Sequence, residues 1–120
     1  MRYDLEDRTK KFAKNIISLM MKLPKNPVNN RMIDQLIGSG GSIGANYCEA
    51  NEAESKKDFI HKIGICKKEI KETRYWLDLL SHANSNHSNE FKILSSEIQE
   101  LLFIFSKIIS SCRKDASKIK

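Results

Sequence analysis

Several groups of residues in this 120-residue sequence could, by their types and spacing, bind a metal ion or take part in catalysis. Asp58 and His61 stand three residues apart, a spacing at which a carboxylate and an imidazole on one helix can bind the same metal ion. A di-metal site in a helical bundle needs two acid-x-x-His pairs and two more carboxylates, and the sequence has one such pair. We therefore interpret Asp58 as an acid at a helix start and His61 as a surface histidine, and we expect no metal or other cofactor.

The three cysteines, Cys48, Cys66 and Cys112, are an odd set without a C-x-x-C spacing. This pattern is typical of reduced thiols in a cytoplasmic protein rather than of a disulfide framework or a zinc site. Cys66 and Cys112 fall on apolar helix seams, and no histidine or acid stands at a spacing recognisable for a thiol nucleophile. We therefore predict that the protein is not an enzyme.

The acidic residues Glu49, Glu52 and Glu54 could form a cation site. We favour a solvated acidic helix end that pairs with the lysine-rich start of the next helix. Asn46 and Glu49 lie off the centre of the apolar seam, where we expect a buried or inter-subunit hydrogen-bond pair without a catalytic role.

Segment 36–50, LIGSGGSIGANYCEA, contains four of the five glycines of the chain. It is not a P-loop, because Gly44 is followed by Ala45 and not by the required Lys-Ser or Lys-Thr. Its G-x-G-x-x-x-G spacing is one residue too long for a dinucleotide-binding fingerprint, and no strand precedes it. An apolar seam continues through the glycines with helical spacing, at Ile33, Leu36, Gly40, Ile43, Tyr47 and Ala50. The pattern therefore predicts one continuous helix, with a break at 39–41 as the alternative.

Similar seams predict three further helices, and no segment alternates with the period of a strand. The predicted helices span approximately 4–23, 29–52, 56–82 and 89–114. Pro24 ends the first, and Ser55 with Asp58 caps the third. The seam of the fourth consists of Phe91, Leu94, Ile98, Leu101, Phe105, Ile108 and Cys112, and Leu102, Ile104 and Ile109 widen its apolar face. Matched lengths and short connections predict one all-α domain, an antiparallel up-down-up-down four-helix bundle with left-handed seams.

Small residues form a stripe on the outward face of the second helix, opposite its seam. Each glycine inside a helix costs about 1 kcal/mol relative to alanine, so a compensating contact is expected. The third helix also carries an outward glycine. We therefore predict self-association, the alternative being that these positions are merely tolerated. The candidate interface residues are Gly38, Gly41, Ala45, Cys48 and Gly64.

The net charge of +6 is concentrated in residues 1–28, 55–75 and the tail from 107. A polarised basic surface predicts an anionic partner, RNA or DNA, with a merely solvated surface as the alternative. The candidate nucleic-acid-binding residues lie on the outward face of the third helix: Lys57, His61, Lys68, Lys71 and Tyr75. No stretch approaches the ~20 apolar residues of a membrane span, and the start MRYDLEDRTKKF lacks an apolar run. We expect a cytoplasmic protein without a membrane partner.

Residues 42–80, SIGANYCEANEAESKKDFIHKIGICKKEIKETRYWLDLL, carry three linked patterns: S-I-x-A-N-x-x-E-[AG], S-x-x-D-F and K-E-x-x-E-x-x-x-W-L. Their signature positions include Ser42, Asn46, Glu49, Asp58, Phe59, Glu72 and Trp76. The patterns resemble those of the bacterial 23S rRNA-intervening-sequence proteins, also called four helix bundle proteins. A more distant resemblance connects them to the basic accessory variability determinant proteins of retroelements, which bind reverse transcriptase and nucleic acid.

The resemblance implies a four-helix bundle that assembles into a homopentamer and is encoded in insertions of ribosomal RNA genes, mostly without an assigned activity. Gly38 and Cys48 replace residues that are often arginine in the family, so either nucleic-acid affinity is weaker here or the subunit contact is more apolar. Two hypotheses follow. The protein is a non-enzymatic, nucleic-acid-associated adaptor, or it is a protein-interaction scaffold whose partner is another protein and whose charge is incidental.

Overall fold

The protein folds as four α-helices that pack in a bundle, which confirms the predicted all-α fold. The structure is a computed structural model that describes the backbone of residues 4–118 and the side chains of residues 4–115. Its helices are α1 (Leu5–Met20), α2 (Pro27–Asn51), α3 (Lys56–Ala83) and α4 (Ser88–Lys118), with a short 3-10 helix at Ser85–His87. The bundle measures 54 × 22 × 20 Å. Within residues 4–118, no helix combines the length and apolar character that crossing a membrane requires.

The first helix is shorter than its seam predicts, because α1 ends at Met20 and not at residue 23. The N–H groups of Lys22 and Leu23 donate to the carbonyls of Leu19 and Met20, at 3.0 and 3.2 Å. These bonds reach back only three residues and tighten the chain ahead of Pro24, whose ring disfavours helical geometry in the preceding residue. Leu23 is nevertheless 3% exposed and belongs to the core.

The second helix begins at Pro27, two residues earlier than predicted, and continues unbroken through the glycine segment to Asn51. Proline is favourable at a first helical position, since its missing N–H would have no acceptor inside the helix. The side chain of Asn26 caps this end and accepts from the N–H of Asn29 at 2.8 Å. The predicted cap of α3 is confirmed, with the N–H of Asp58 donating to Ser55 Oγ at 3.0 Å.

The apolar seams of all four helices face the core as predicted, except at Cys112, the last residue of the α4 seam. After Phe105 the buried residue is Ile109, and Ile108 and Cys112 are half-exposed. A straight α-helix drifts by about 20° per heptad relative to a strict heptad pattern. The drift rotates Cys112 away from the core that its sequence spacing predicts.

Two of the four glycines in the segment allow α1 to approach α2 closely. A Cβ atom added to Gly40 would lie 2.5 Å from Ile16 Cδ1, and one added to Gly44 would lie 2.9 Å from Thr9 Oγ1. Such distances are too short for real side-chain contacts, so a larger residue would have to displace the Ile16 side chain at Gly40 or Thr9 at Gly44. Packing against α1 therefore explains Gly40 and Gly44.

Buried polar pairs hold α2 against α3 in an antiparallel register. The amides of Asn29 and Asn84 donate to each other at 3.0 and 2.9 Å. Further along the two helices, the hydroxyl of Thr73 donates to Ser39 Oγ at 2.9 Å. Residue numbers rise on α2 as they fall on α3, as antiparallel neighbours require. These satisfied groups specify the register, because a shift of one turn would bury polar atoms without partners.

Candidate nucleic-acid interface

A groove of about 740 Å³ runs between α3 and α4. It exists because residues spaced three or four apart on each helix share the flank that faces the other helix. Its lining residues are Lys71, Arg74, Tyr75 and Asp78 from α3, and Lys92, Ser95, Ser96 and Gln99 from α4. Three cations and several hydroxyl or amide groups thus converge on one groove that contains a single carboxylate.

The cations of this groove are not neutralised by nearby acids. Among the side chains of residues 4–115, no carboxylate oxygen lies within 4 Å of the cationic nitrogens of Lys71, Arg74 or Lys92. Arg74 Nη1 instead donates to the neutral Gln99 Oε1 at 3.3 Å, which orients the guanidinium and leaves its charge uncompensated. Like charges gathered in a concave surface produce a local positive potential that attracts anions.

A second basic cluster lies further along the same α3/α4 seam. It lines a depression of about 440 Å³ and contributes Lys67 from α3 with Arg113 and Lys114 from α4. Ser106 and Ser110 complete its polar lining. No carboxylate of residues 4–115 lies within 4 Å of these three cationic side chains either. The positive surface therefore continues along α4 toward its carboxyl end.

The groove on the other side of α4, between α1 and α4, is lined differently. It has a volume of about 520 Å³ and contains Arg8 and Lys11 together with Glu97 and Glu100. Arg8 donates to both carboxylate oxygens of Glu97, at 2.7 and 2.8 Å. Its Nη2 also lies 3.1 Å from Glu100 Oε2. The hydrogen bond to Glu97 raises the pKa of Arg8 above its usual value, so this cation is compensated inside the protein.

Tyr75 is the aromatic residue of the α3/α4 groove, and 57% of it is exposed. Its ring centroid lies 5.1 Å from that of Trp76, with the two planes at 77°. Trp76 packs against the core, so it supports Tyr75 from beneath. The indole Nε1 of Trp76 is buried and has no hydrogen-bond acceptor among the described residues.

Two of the predicted nucleic-acid-binding residues, Lys71 and Tyr75, line the α3/α4 groove. Lys57, His61 and Lys68 are exposed on α3 but belong to neither of the two basic depressions. The structure adds three cations that the sequence did not place in a site, namely Arg74, Lys92 and Lys67. It also brings Arg113 and Lys114, from the basic tail already linked to an anionic partner, to the same seam.

The sequence itself could have predicted that the α3 cations of these two depressions lie together. Lys67, Lys71 and Arg74 follow one another at spacings of four and three, and so share one helix flank. Lys92 carries no such signal, because its place depends on how α3 and α4 are aligned. Part of the basic tail, Lys118 and Lys120, lies outside the described side chains.

The predicted interface residues Gly38, Gly41, Ala45 and Cys48 are all exposed on α2. A Cβ atom added to Gly38 or Gly41 would meet nothing within 4 Å, in contrast with Gly40 and Gly44. Gly64 lies on α3 as predicted and is half-buried, and a Cβ atom added there would also meet nothing within 4 Å among the described residues. Ile37, which precedes Gly38 in the sequence, is 41% exposed.

Asn46 and Glu49 do not form a buried pair within the chain, and the alternative, a hydrogen bond across a subunit contact, stays a prediction. Asn46 donates to the carbonyl of Ser42 at 2.8 Å, in its own helix. Ser42 in turn donates to the carbonyl of Gly38 at 2.8 Å. Glu49 lies 3.7 Å from Lys62, as expected for an acidic helix end beside the lysine-rich start of α3.

The remaining signature residues lie at the start and along the middle of α3. Phe59 packs against the core, and Asp58 occupies the first turn of the helix. Glu72 is partly exposed and adds to the effect of burial in raising the pKa of Glu69 above its usual range. Within residues 4–115, no three histidine, cysteine or acidic side chains are grouped as metal ligands.

Cys66 is fully buried at the α2/α3 contact, where its Sγ donates to the carbonyl of Ile43 at 3.6 Å. Burial raises the pKa of this thiol to about 12. The thiolate is the reactive form of cysteine, so Cys66 is inert at neutral pH. Its place in the molecule is that of a small core residue.

Comparisons with known proteins agree on one family. The family model described as "23S rRNA-intervening sequence protein" matches residues 2–107. A crystal structure at 1.70 Å resolution of a protein of unknown function, from the S23 ribosomal protein family of Bacteroides thetaiotaomicron VPI-5482, has 32% sequence identity and a TM-score of 0.77. That match covers 87% of this chain and 96% of the other. Comparison with the curated proteins finds no match.

Proposed function

The chain belongs to the 23S rRNA-intervening sequence protein family, and from this premise we propose that it is a non-enzymatic, cytoplasmic adaptor that binds nucleic acid. RNA or DNA associated with rRNA intervening sequences or with retroelements is the setting that the family suggests. The α3/α4 groove supplies the contact surface, and the chain acts as a homo-oligomer, with a pentamer as the expected form.

The observation that carries this proposal is the uncompensated charge of the α3/α4 groove. Lys71, Arg74 and Lys92 converge there without a carboxylate within 4 Å among residues 4–115. Phosphate oxygens are the anions that arginine and lysine most often meet in nucleic-acid complexes, with serine and glutamine as neutral donors beside them. Ser95, Ser96 and Gln99 stand in the same lining.

A salt titration tests the proposal directly. The wild-type chain is titrated into fluorescein-labelled generic RNA and DNA, and anisotropy is read over a range of salt concentrations. Because bound cations release counterions from the phosphates, the logarithm of the association constant should fall linearly with the logarithm of salt concentration. No detectable binding at low ionic strength would overturn the nucleic-acid role.

The proposed oligomer uses the exposed stripe of α2. Gly38 and Gly41 present bare backbone and Ala45 only a methyl group, so another helix can approach closely. The glycines cost helix stability, and a close helix contact would offset that cost. Unlike Gly40 and Gly44, Gly38 and Gly41 have no neighbour among the described residues within 4 Å of an added Cβ atom that would account for their size.

A volume change at Gly41 tests the oligomer. Gly41→Leu should disrupt the assembly, since such insertions at packed contacts cost about 1–3 kcal/mol, while helical content should hold or rise. Gln35→Leu, at an exposed position of α2 outside the stripe, serves as the matched control and should leave the assembly intact. Sedimentation and circular dichroism measure the two properties. An intact assembly in Gly41→Leu would contradict the interface.

The second candidate function is a protein-interaction scaffold, which the same exposed stripe favours. In that case the α2 face binds a different protein and the basic groove is a solvated surface. The two functions differ in one measurement: the scaffold predicts no affinity for RNA or DNA at low salt.

A further inference from the structure

The α3/α4 groove has features that distinguish between single-stranded and duplex nucleic acid. We propose that it binds single strands, with phosphates on its cations and a base stacked on Tyr75. This inference rests on the proposed nucleic-acid role and adds the form of the ligand and the residues that recognise it. Three observations carry it: the shape of the groove, the exposed aromatic ring and the length of the basic seam.

A groove between two packed helices is narrower than a nucleic-acid duplex. The α3/α4 groove lies between adjacent packed helices, whose axes are about 8–10 Å apart. A double helix, whose major groove alone is about 12 Å wide, cannot enter such a space and would touch only the rims. A single strand can lie along the floor, within reach of Lys71, Arg74 and Lys92.

Tyr75 provides an exposed aromatic ring on which an unstacked base of a single strand can stack. Its ring is 57% exposed in the groove, and Trp76 supports it at 5.1 Å between centroids. A supported aromatic ring among cations is the combination on which proteins stack the bases of single strands, without preference for sequence. In a duplex the bases are already stacked on each other and cannot use the ring.

The basic seam is long enough for several nucleotides. Lys92 and Arg113 are 21 positions apart on α4, which corresponds to about 32 Å at about 1.5 Å per residue. Lys71 lines the α3/α4 groove, and Lys67, one turn away on α3, lines the second basic depression. Cations thus recur along the seam, and in the two linings the only carboxylate is that of Asp78. A strand bound at Tyr75 would continue toward Arg113.

The test compares fluorescein-labelled dT12, U12 and a 12-base-pair DNA duplex at low salt, with anisotropy as the readout. Both single strands should bind at least ten-fold more tightly than the duplex. Comparable affinity for dT12 and U12 is expected, since phosphates and base faces are common to both. A duplex that binds as tightly as the strands overturns this inference but leaves the nucleic-acid role standing, whereas no binding of any probe removes both.

Three variants locate the bound base. Tyr75→Ala should weaken dT12 binding by about ten-fold, equivalent to about 1.4 kcal/mol, and Tyr75→Phe should bind as the wild type does because it keeps the ring. Phe103→Ala is the matched control, since Phe103 is an exposed aromatic residue of α4 outside the groove, 61% exposed and 5.3 Å beneath Lys107 Nζ. An unchanged affinity in Tyr75→Ala, or an equal loss in Phe103→Ala, would overturn the stacking site.

Discussion

The two grooves that flank α4 contain the same kinds of charged residue and arrange them in opposite ways. Between α1 and α4, Arg8 donates to Glu97 at 2.7 and 2.8 Å and lies 3.1 Å from Glu100. Between α3 and α4, Arg74 donates to the neutral Gln99 at 3.3 Å, and no carboxylate of residues 4–115 lies within 4 Å of its guanidinium. Arg8 thus forms ion pairs that join α1 to α4, whereas the positive charge of Arg74 remains available to an anionic ligand.

The difference shows that a basic residue count does not identify a binding surface. Arg8 is paired with two carboxylates within the protein, so removing it would leave Glu97 and Glu100 close together without the cation that bonds them. Arg74 has no acid to release, so an arriving phosphate would gain an ion pair without breaking one. The α1/α4 groove is therefore expected to act in stability and the α3/α4 groove in binding.

The largest expected effect is on binding. Reversing the three groove cations in Lys71→Glu/Arg74→Glu/Lys92→Glu should weaken dT12 binding by at least about a hundred-fold, because each phosphate contact is replaced by repulsion. The matched control is Lys10→Glu/Lys11→Glu/Lys14→Glu on α1, which makes the same change of net charge at exposed positions. Anisotropy measures affinity and circular dichroism checks the fold. Equal losses in both variants would mean that overall charge, not the groove, governs binding.

The next effect separates the two arginines by stability. Arg8→Glu should cost about 2–3 kcal/mol in the free energy of unfolding, since it removes charged hydrogen bonds and adds a third acid. Arg74→Glu should change it by less than about 0.5 kcal/mol, as surface substitutions do. Urea denaturation measures both.

The swapped double variant Arg8→Glu/Glu97→Arg provides the control, because it restores the ion pair with its ends exchanged. It should recover part of the lost stability. If Arg74→Glu destabilises the protein as much as Arg8→Glu does, the assignment of the two grooves is wrong.

The smallest expected effect is on the pH dependence of stability, through Glu90 near the start of α4. Hydrogen bonds with His87, at 2.7 Å, and with Lys22, at 3.0 Å, hold the pKa of Glu90 below its usual value of 4.5. A lowered pKa in the folded state adds stability above pH 4.5, which is lost as the pH falls through the folded-state value. Glu90→Gln should remove this part of the acid dependence in urea titrations between pH 6 and 3. An unchanged dependence would show that other acids account for it.

Local patterns could predict most of the fold. Helical phase across the glycines predicted a continuous α2, and Ser55 with Asp58 predicted the start of α3. Both depend on residues close in sequence. The seam predicted for α4 failed at Cys112, because a heptad pattern ignores the slow drift of a straight helix.

The grooves could not be predicted in the same way, because they are made by residues far apart in the chain. Arg8 and Glu97 are separated by 89 residues, and no local spacing connects them. The glycines show the same limit: sequence reasoning recognised Gly38 and Gly41 as outward. It could not tell that Gly40 and Gly44 are required by Ile16 and Thr9 on α1.

The most direct test of the account is the affinity of Gln99→Glu for dT12 as a function of salt. This isosteric change places a carboxylate where Gln99 Oε1 now accepts from Arg74 at 3.3 Å, and so gives the α3/α4 groove the pairing found around Arg8. Affinity should fall by about ten-fold, and the salt slope should decrease by about one, as for the loss of one phosphate contact. Stability should hold or rise slightly. Unchanged affinity and slope would contradict the claim that uncompensated charge makes this groove the binding site.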